Sequence, residues 1–243
     1  MKIGYKTDVG KKRDHNEDSL FVDEKQGLFI VADGMGGHQG GEVASKMAVD
    51  LLPPFIKEKL SKDTAHDEVS KILMESLFNA NDEISKKADA DPLLNGMGTT
   101  IVFALQRGEI LYIANVGDSR AYLIKHKEIK QISEEHSVVA QMVKAGLITE
   151  EEAMTRKDKH IITQVIGSSE YLSPAVRLIK FEKGNYILLC SDGLTNMLAN
   201  EEIISIIFKA KKNVKKACEM LVESANEKGG NDNITVILLY EEI

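Results

Sequence analysis

The stretch that decides the reading runs Phe29-Ile30-Val31-Ala32-Asp33-Gly34-Met35-Gly36-Gly37-His38-Gln39-Gly40-Gly41. A short apolar run of strand type stops at Asp33, and five glycines follow within eight residues. The carboxylate is therefore expected at a strand end, where backbone without Cβ atoms can come close to something bound. Two ligands suit such a place: a phosphate cradled by backbone N–H groups, or a metal ion held by Asp33 together with a nearby carbonyl. The phosphate motifs fail, because no Gly-Lys-Ser/Thr closes the loop and the third glycine of a dinucleotide fingerprint falls on Gln39. Metal is the better reading.

Four other acidic motifs share this position at the junction of an apolar run and a turn. They are Asn16-Glu17-Asp18, Gly117-Asp118-Ser119-Arg120, Ser191-Asp192-Gly193 and Gly230-Asn231-Asp232-Asn233. Strand ends far apart in sequence can converge in space, and carboxylates gathered there repel unless cations neutralise them. Oxygen-only ligation, with no His/Cys set, favours Mg²⁺ or Mn²⁺ over zinc. Any one motif alone reads as a turn cap. Five together read as a site.

Around these motifs the chain alternates in texture. Strands are expected at Lys2–Lys6, Leu20–Val22 and Gly27–Asp33, with a polar segment Lys11–Asp18 between the first two. Helices follow at Glu42–Leu52, which the pair Pro53-Pro54 should break or restart, and at Glu68–Lys87, whose Val69, Ile72, Leu73, Leu77, Ala80 and Ile84 recur at core-facing spacing. A meander is expected at Thr99–Leu105, Ile110–Val116, Arg120–Lys125 and Glu128–Ile132. Short helices at Val138–Gly146 and Glu150–Thr155 and a basic linker Arg156–His160 interrupt the sheet. Strands resume at Ala175–Phe181 and Tyr186–Cys190, helices lie near Asn200–Lys209 and Val214–Glu227, and a strand closes at Asn233–Tyr240. Strands in runs with hairpin-length connections argue against a doubly wound parallel sheet and for two packed antiparallel sheets with helices outside.

The 243 residues, 43% of them apolar, suffice for a substantial core. With 31 basic and 38 acidic residues the net charge is −7, which argues against nucleic acid or anionic membrane as partners. No signal-peptide core or membrane-length apolar run is read, so a cytoplasmic location is expected. Cys190 and Cys218 read as buried core thiols. Neither starts a Cys-x₅-Arg loop, since the sixth residues on are Asn196 and Ser224, so a cysteine nucleophile is excluded.

In order, Arg13-x-x-Asn16-Glu17-Asp18, Asp33-Gly34-Met35-Gly36-Gly37-His38, Gly98-Thr99-Thr100, Gly117-Asp118-Ser119-Arg120, Ser191-Asp192-Gly193-Leu194-Thr195 and Gly230-Asn231-Asp232-Asn233-Ile234-Thr235 span almost the whole chain. This set resembles the PP2C-type, metal-dependent protein serine/threonine phosphatases, in the form of the small bacterial branch. The resemblance implies an α+β fold: a four-layer α-β-β-α sandwich of two antiparallel sheets flanked by helices, one catalytic domain over 1–243 with a small flap insertion at about 138–168. It implies two Mn²⁺ or Mg²⁺ ions and a third, weaker one. Asp33 would bridge the two metals, the Gly34 carbonyl would help hold one, and Asp192 and Asp232 would complete the other. Glu17 would act through bound water with Asp18 supporting it, Asp118 would share the third ion with Asp192, and Arg13 would clamp the substrate phosphate.

The implied partners are phosphorylated proteins and an opposing serine/threonine kinase, with the chain acting as a monomer. Met35 stands where many eukaryotic relatives carry a histidine after Asp-Gly, which leaves His160, in the flap, as the candidate proton donor beside its plain reading as a surface histidine. His38 reads as structural. Glu135-His136-Ser137 replaces the family's usual Asp-His-Ser. Two alternatives stand beside the phosphoprotein hydrolase: a catalytically silent phosphoprotein-binding module on the same fold, and a hydrolase of small phosphate esters.

Overall fold

Strands whose sequences are apolar without a break have to be covered on both faces. The strand β3 (Leu28–Met35) is built this way: Leu28, Ile30 and Ala32 face helices, while Phe29 and Val31 face a second sheet. The strand β11 (Ile234–Tyr240) does the same, with Val236, Leu238 and Tyr240 under helices and Ile237 and Leu239 between the sheets. The period of two thus sorts each strand between two cores. A computed structural model describes residues 1–37, 40–156, 158, 161–167 and 172–242 of the chain.

One antiparallel sheet takes β2 (Asp18–Asp23), β3, β5 (Ile101–Arg107), β6 (Ile110–Val116) and β9 (Ala175–Lys180) in that order, with the short β4 (Gly98–Thr99) paired to the end of β3. The other takes β1 (Lys2–Asp8), β11, β10 (Tyr186–Cys190), β7 (Arg120–Lys125) and β8 (Glu128–Gln131) in that order. Helices α1 (Gly40–Lys59) and α2 (His66–Ala90) cover the first sheet, and α6 (Asn200–Lys209) and α7 (Val214–Glu227) the second. The result is the four-layer α-β-β-α sandwich. Between β8 and β9 the chain forms α3 (Val138–Lys144), capped by the Ser137 hydroxyl, and α4 (Glu150–Thr155), opened by a Thr149/Glu152 capping box. Bridges Ser137 to Ile162 and Thr99 to Ile166 tie this insertion back beside β4. Among the described residues, no helix is long and apolar enough to cross a membrane.

Three local expectations are corrected. Helix α1 runs unbroken through Pro53 and Pro54. Each proline withdraws a donor from the helix, but Leu52, Pro53 and Ile56 are buried in the core under α1, and that burial outweighs the break signal. Strand β3 does not stop at Asp33, because Gly34 and Met35 pair with Thr99 and Gly98. The expected strand Thr99–Leu105 is split at Thr100, whose N–H donates to the Asp33 carbonyl at 2.8 Å. A one-turn helix α5 (Asp192–Thr195), absent from the expectations, places Asp192 in its first turn.

Candidate active site

The acidic motifs meet at one end of the sandwich. Asp18 and Asp33 are register partners on β2 and β3, while Asp192 follows β10 and Asp232 precedes β11 in the other sheet. Asp118 lies in the connection from β6 to β7, where the chain passes between sheets. The Arg13–Glu17 loop is fastened across the molecule by Asn233. Its Nδ2 donates to the Val9 carbonyl at 2.8 Å and the His15 carbonyl at 3.0 Å, and its Oδ1 accepts the Glu17 N–H at 2.8 Å. Lys11 and Lys12 donate backbone N–H groups to the Gly230 carbonyl. Arg13 then reaches Asp232, Nη2 to Oδ2 at 2.8 Å, with Glu17 at 4.0 Å from Nη1.

Gly34 is required by close approach. A Cβ there would stand 2.0 Å from the Gly41 carbonyl oxygen and 2.6 Å from that of Glu17. The Gly34 N–H donates to that same Glu17 carbonyl at 3.1 Å, which Ser45 Oγ also engages at 2.5 Å. The Gly-Thr-Thr motif holds Asp33 from the opposite side: Thr99 Oγ1 donates to the Asp33 carbonyl at 2.9 Å, and Thr100 Oγ1 pairs with Ser119 Oγ at 2.7 Å beside Asp118. Gly117 adopts φ +98°, and both its polar backbone groups bind His136: its N–H donates to Nδ1 at 3.2 Å and its carbonyl accepts the His136 N–H at 3.0 Å. Glu135 pairs with the half-buried Arg120 at 2.8 Å and accepts the Ser137 hydroxyl at 2.9 Å, giving the longer acid of this motif a definite partner.

Crowding sets the electrostatics. Burial, then the neighbouring Asp18, Asp192, Asp118 and Asp232, hold the Asp33 carboxyl well above its ordinary range. Burial pushes Asp18 up to about 7 against hydrogen bonds from Thr235 and Ser191 that favour its charged form. Asp118 also rises to about 7, through burial and then Asp192 and Glu135, and Asp192 is raised by burial and Asp232. Arg13 is held more firmly protonated by its bond to Asp232.

Whether these residues suit divalent cations is tested by what they leave unsatisfied. Asp18 Oδ1 is buried with no partner, and the donors that converge are all oxygens with excess negative charge. That chemistry fits hard cations. No three acidic, histidine or cysteine side chains among the described residues form a ready-made ligand cluster; Arg13 holds an Asp232 oxygen and Asn196 Nδ2 donates to Asp192 Oδ2 at 2.9 Å.

The structure brings together Arg13, Glu17, Asp18, Asp33, Gly34, Asp118, Asp192 and Asp232. His160 and His38 lie outside the described residues, as do Lys157 and Lys159 of the flap's basic cluster. Of that cluster, Lys144 pairs with Glu134 at 2.7 Å and Arg156 with Asp158 at 2.7 Å. The sequence reading gave no role to Asn233, Thr100, Ser191 or Asn196, which fasten the acids. Their adjacency to the acidic motifs is the signal that marks them.

A family model described as protein phosphatase 2C matches residues 10–238. The serine/threonine phosphatase stp of Listeria innocua is 40% identical over all of this chain and 97% of its own length. The serine/threonine phosphatase of S. agalactiae superposes with a TM-score of 0.91 at 37% identity, covering 99% of each chain. The catalytic domain of the phosphatase PstP, solved in complex with 2 manganese ions, gives 0.83 at 31% identity and covers 98% of this chain and 96% of its own. Motif order, sandwich and converged carboxylates agree with these likenesses, and the chain belongs to the protein phosphatase 2C family.

Proposed function

We propose that this chain is a protein serine/threonine phosphatase that hydrolyses phosphoserine and phosphothreonine at a dinuclear Mn²⁺ or Mg²⁺ centre, opposing a serine/threonine kinase. The observation that carries the reading is the convergence of Asp18, Asp33, Asp118, Asp192 and Asp232 on one site with Arg13 beside them. Asp33, the Gly34 carbonyl, Asp192 and Asp232 would hold the two ions, with Asp33 shared between them. Glu17 and Asp18 act through the surrounding water, and Asp118 shares a third, weaker ion with Asp192. When bound, the cations supply a water activated near neutral pH and offset charge on the phosphoryl group. Arg13, exposed at the edge of the acids, would offer its remaining planar donors to the substrate phosphate.

The insertion at about 138–168 is read as a flap that selects phosphoproteins, within one catalytic domain over 1–243. Lys144 sits in an exposed ion pair with Glu134, which holds little energy and exchanges readily for an acidic phosphorylated loop, while Arg156 is held by both Asp158 oxygens, at 2.8 and 2.7 Å. The chain is read as acting as a monomer in the cytoplasm. His160 is the candidate donor of a proton to the leaving serine or threonine oxygen. His160→Ala then slows phosphopeptide hydrolysis and spares an aryl phosphate, whose leaving group needs no proton.

The central test is phosphate release from a phosphothreonine peptide. Release with Mn²⁺ that stops on chelation is expected. Tight phosphopeptide binding without release overturns the hydrolase in favour of the silent module, and release only from small esters overturns the protein substrate.

A further inference from the structure

Arg107 and Gly108 form the hairpin turn at the end of the sandwich away from the acidic cluster. Leu105 pairs with Leu28, five positions along β3 from Asp33, or about 17 Å at the usual strand rise. There the end of α1, the α1–α2 loop and the turn after β5 enclose a cavity of about 660 Å³, within the size range of small-molecule sites. Its lining contains Lys57, Lys62 and Arg107 and no carboxylate, in a chain whose net charge is −7. Such a pocket of uniform sign attracts anions against the field of the whole molecule.

The cations differ in how they are held. Arg107 Nη2 donates to the Ser61 carbonyl at 2.8 Å and the Lys62 carbonyl at 2.6 Å, which locks the loop around the cavity. Its Nη1 is shut off from solvent and has no acceptor. Closed to solvent, Nη1 is closed also to a ligand in the cavity, so Arg107 contributes its charge to the site rather than a free donor. Lys57 and Lys62 have no carboxylate partner among the described residues, although Lys59, between them in sequence, pairs with Glu75 at 2.7 Å. Hydroxyls of Ser61 and Thr64 add donors beside these cations.

The remaining wall is of another kind. Ile56, Leu60 and Leu105 give an apolar floor, and the His66 ring stands at the edge, stacked on Tyr112 and hydrogen-bonded to its hydroxyl. Cations with hydroxyls on one side and a flat apolar surface with a stacking ring on the other match a ligand that is phosphate at one end and planar and apolar at the other. We propose that this cavity is a second ligand site, separate from the acidic cluster, for small organic phosphates of the nucleotide class.

The test is a titration of ¹⁵N-labelled, Mg²⁺-loaded protein with the hydrolysis-resistant methylenephosphonate analogue of AMP, with adenosine and inorganic phosphate as separate probes. Saturable shifts are expected at the amides of Ser61–His66 and Gly108, with about tenfold weaker binding by the Lys57→Ala/Lys62→Ala double variant, the loss that corresponds to one charge-assisted contact. Both lysines are on the surface, and the double variant keeps its Mg²⁺-dependent phosphatase activity, so failure at this cavity is distinguishable from failure of the phosphatase reading. Shifts confined to Gly34 and Gly193, or equal affinity in the double variant, overturn the site. Binding of inorganic phosphate as tight as the analogue overturns the nucleotide class.

Discussion

Asp33 is buried beside four other acids, Asp18, Asp192, Asp118 and Asp232, and its carboxyl is held well above the ordinary range, so its charge decides the site. Asp33→Asn removes a shared anionic ligand while keeping the shape. Turnover of a phosphopeptide is expected to fall by about a thousandfold or more, the equivalent of several kcal/mol of lost charge stabilisation. Thermal melting in chelator is expected to rise by about 2–4 °C, the shift produced by relieving about 1 kcal/mol of repulsion in a chain of this size. Retained metal-dependent turnover would remove Asp33 from the centre. Arg13→Ala is expected to raise KM for phosphopeptides about tenfold and to leave the Mn²⁺ requirement equal or lower, because Asp232 loses its competing partner. An unchanged KM with a raised metal requirement would mean that Arg13 only braces Asp232. That the acids lie together at one end was legible because charge at the end of an apolar run is a local signal; Arg13, inside a polar segment, entered only through the family resemblance. Asn233 was not legible: it acts on the Val9 and His15 carbonyls, 224 and 218 residues away, and no local pattern encodes a contact between loops so distant.

At the scale of elements, the periodic segments matched the structure closely, because a stripe such as Val69 to Ile84 or a run such as Ile234–Tyr240 carries its own period. The misses fell where glycine or proline punctuated the chain and a partner strand or core overruled the punctuation. Strand β3 continues past Asp33 only because β4 pairs with it, and α1 continues past Pro53 because that proline is itself buried. Pro54 differs from Pro53 in being exposed. Pro54→Ala restores a backbone donor inside α1 and removes the ring clash, while giving back some freedom to the unfolded chain. A net gain of about 1–2 kcal/mol is expected, seen as a melting temperature higher by about 3–6 °C. A lower melting temperature would show that α1 is locally bent around Pro54.

For the molecule as a whole, the acids belong to different sheets: Asp18 and Asp33 to one, Asp192 and Asp232 to the other. A cation between them cross-links the sandwich. Asp18 and Asp118 have folded values near 7 against an ordinary 3.8. The folded state therefore binds more protons than the unfolded one between those values. In chelator, this part of the stability is fully present below about pH 4 and is lost as pH rises through 7. With saturating Mn²⁺ the sign reverses over the same window, because the ion binds only the deprotonated acids, and at a hundredfold excess over Kd the added stability is about 2.7 kcal/mol. Melting curves at pH 5 and pH 8, with and without Mn²⁺, check both slopes. Parallel slopes would place the raised acids away from the metal.

The strand β1 pairs along its length with β11, from Lys2 against Tyr240 to Asp8 against Ile234. During synthesis β1 leaves the ribosome before its partner β11 and waits for every element between them. The Arg13–Glu17 loop waits with it, since Asn233 and Gly230 fasten that loop. A nascent chain thus has neither the closed sheet nor the gathered acids, and pairing of this long range is slow to form. The order of translation therefore delays the hydrolytic centre until β11 has emerged: a chain stopped before Asp232 holds Asp18 and Asp33 on their hairpin but lacks Asp232 and the Asn233 bonds that fasten the Arg13–Glu17 loop.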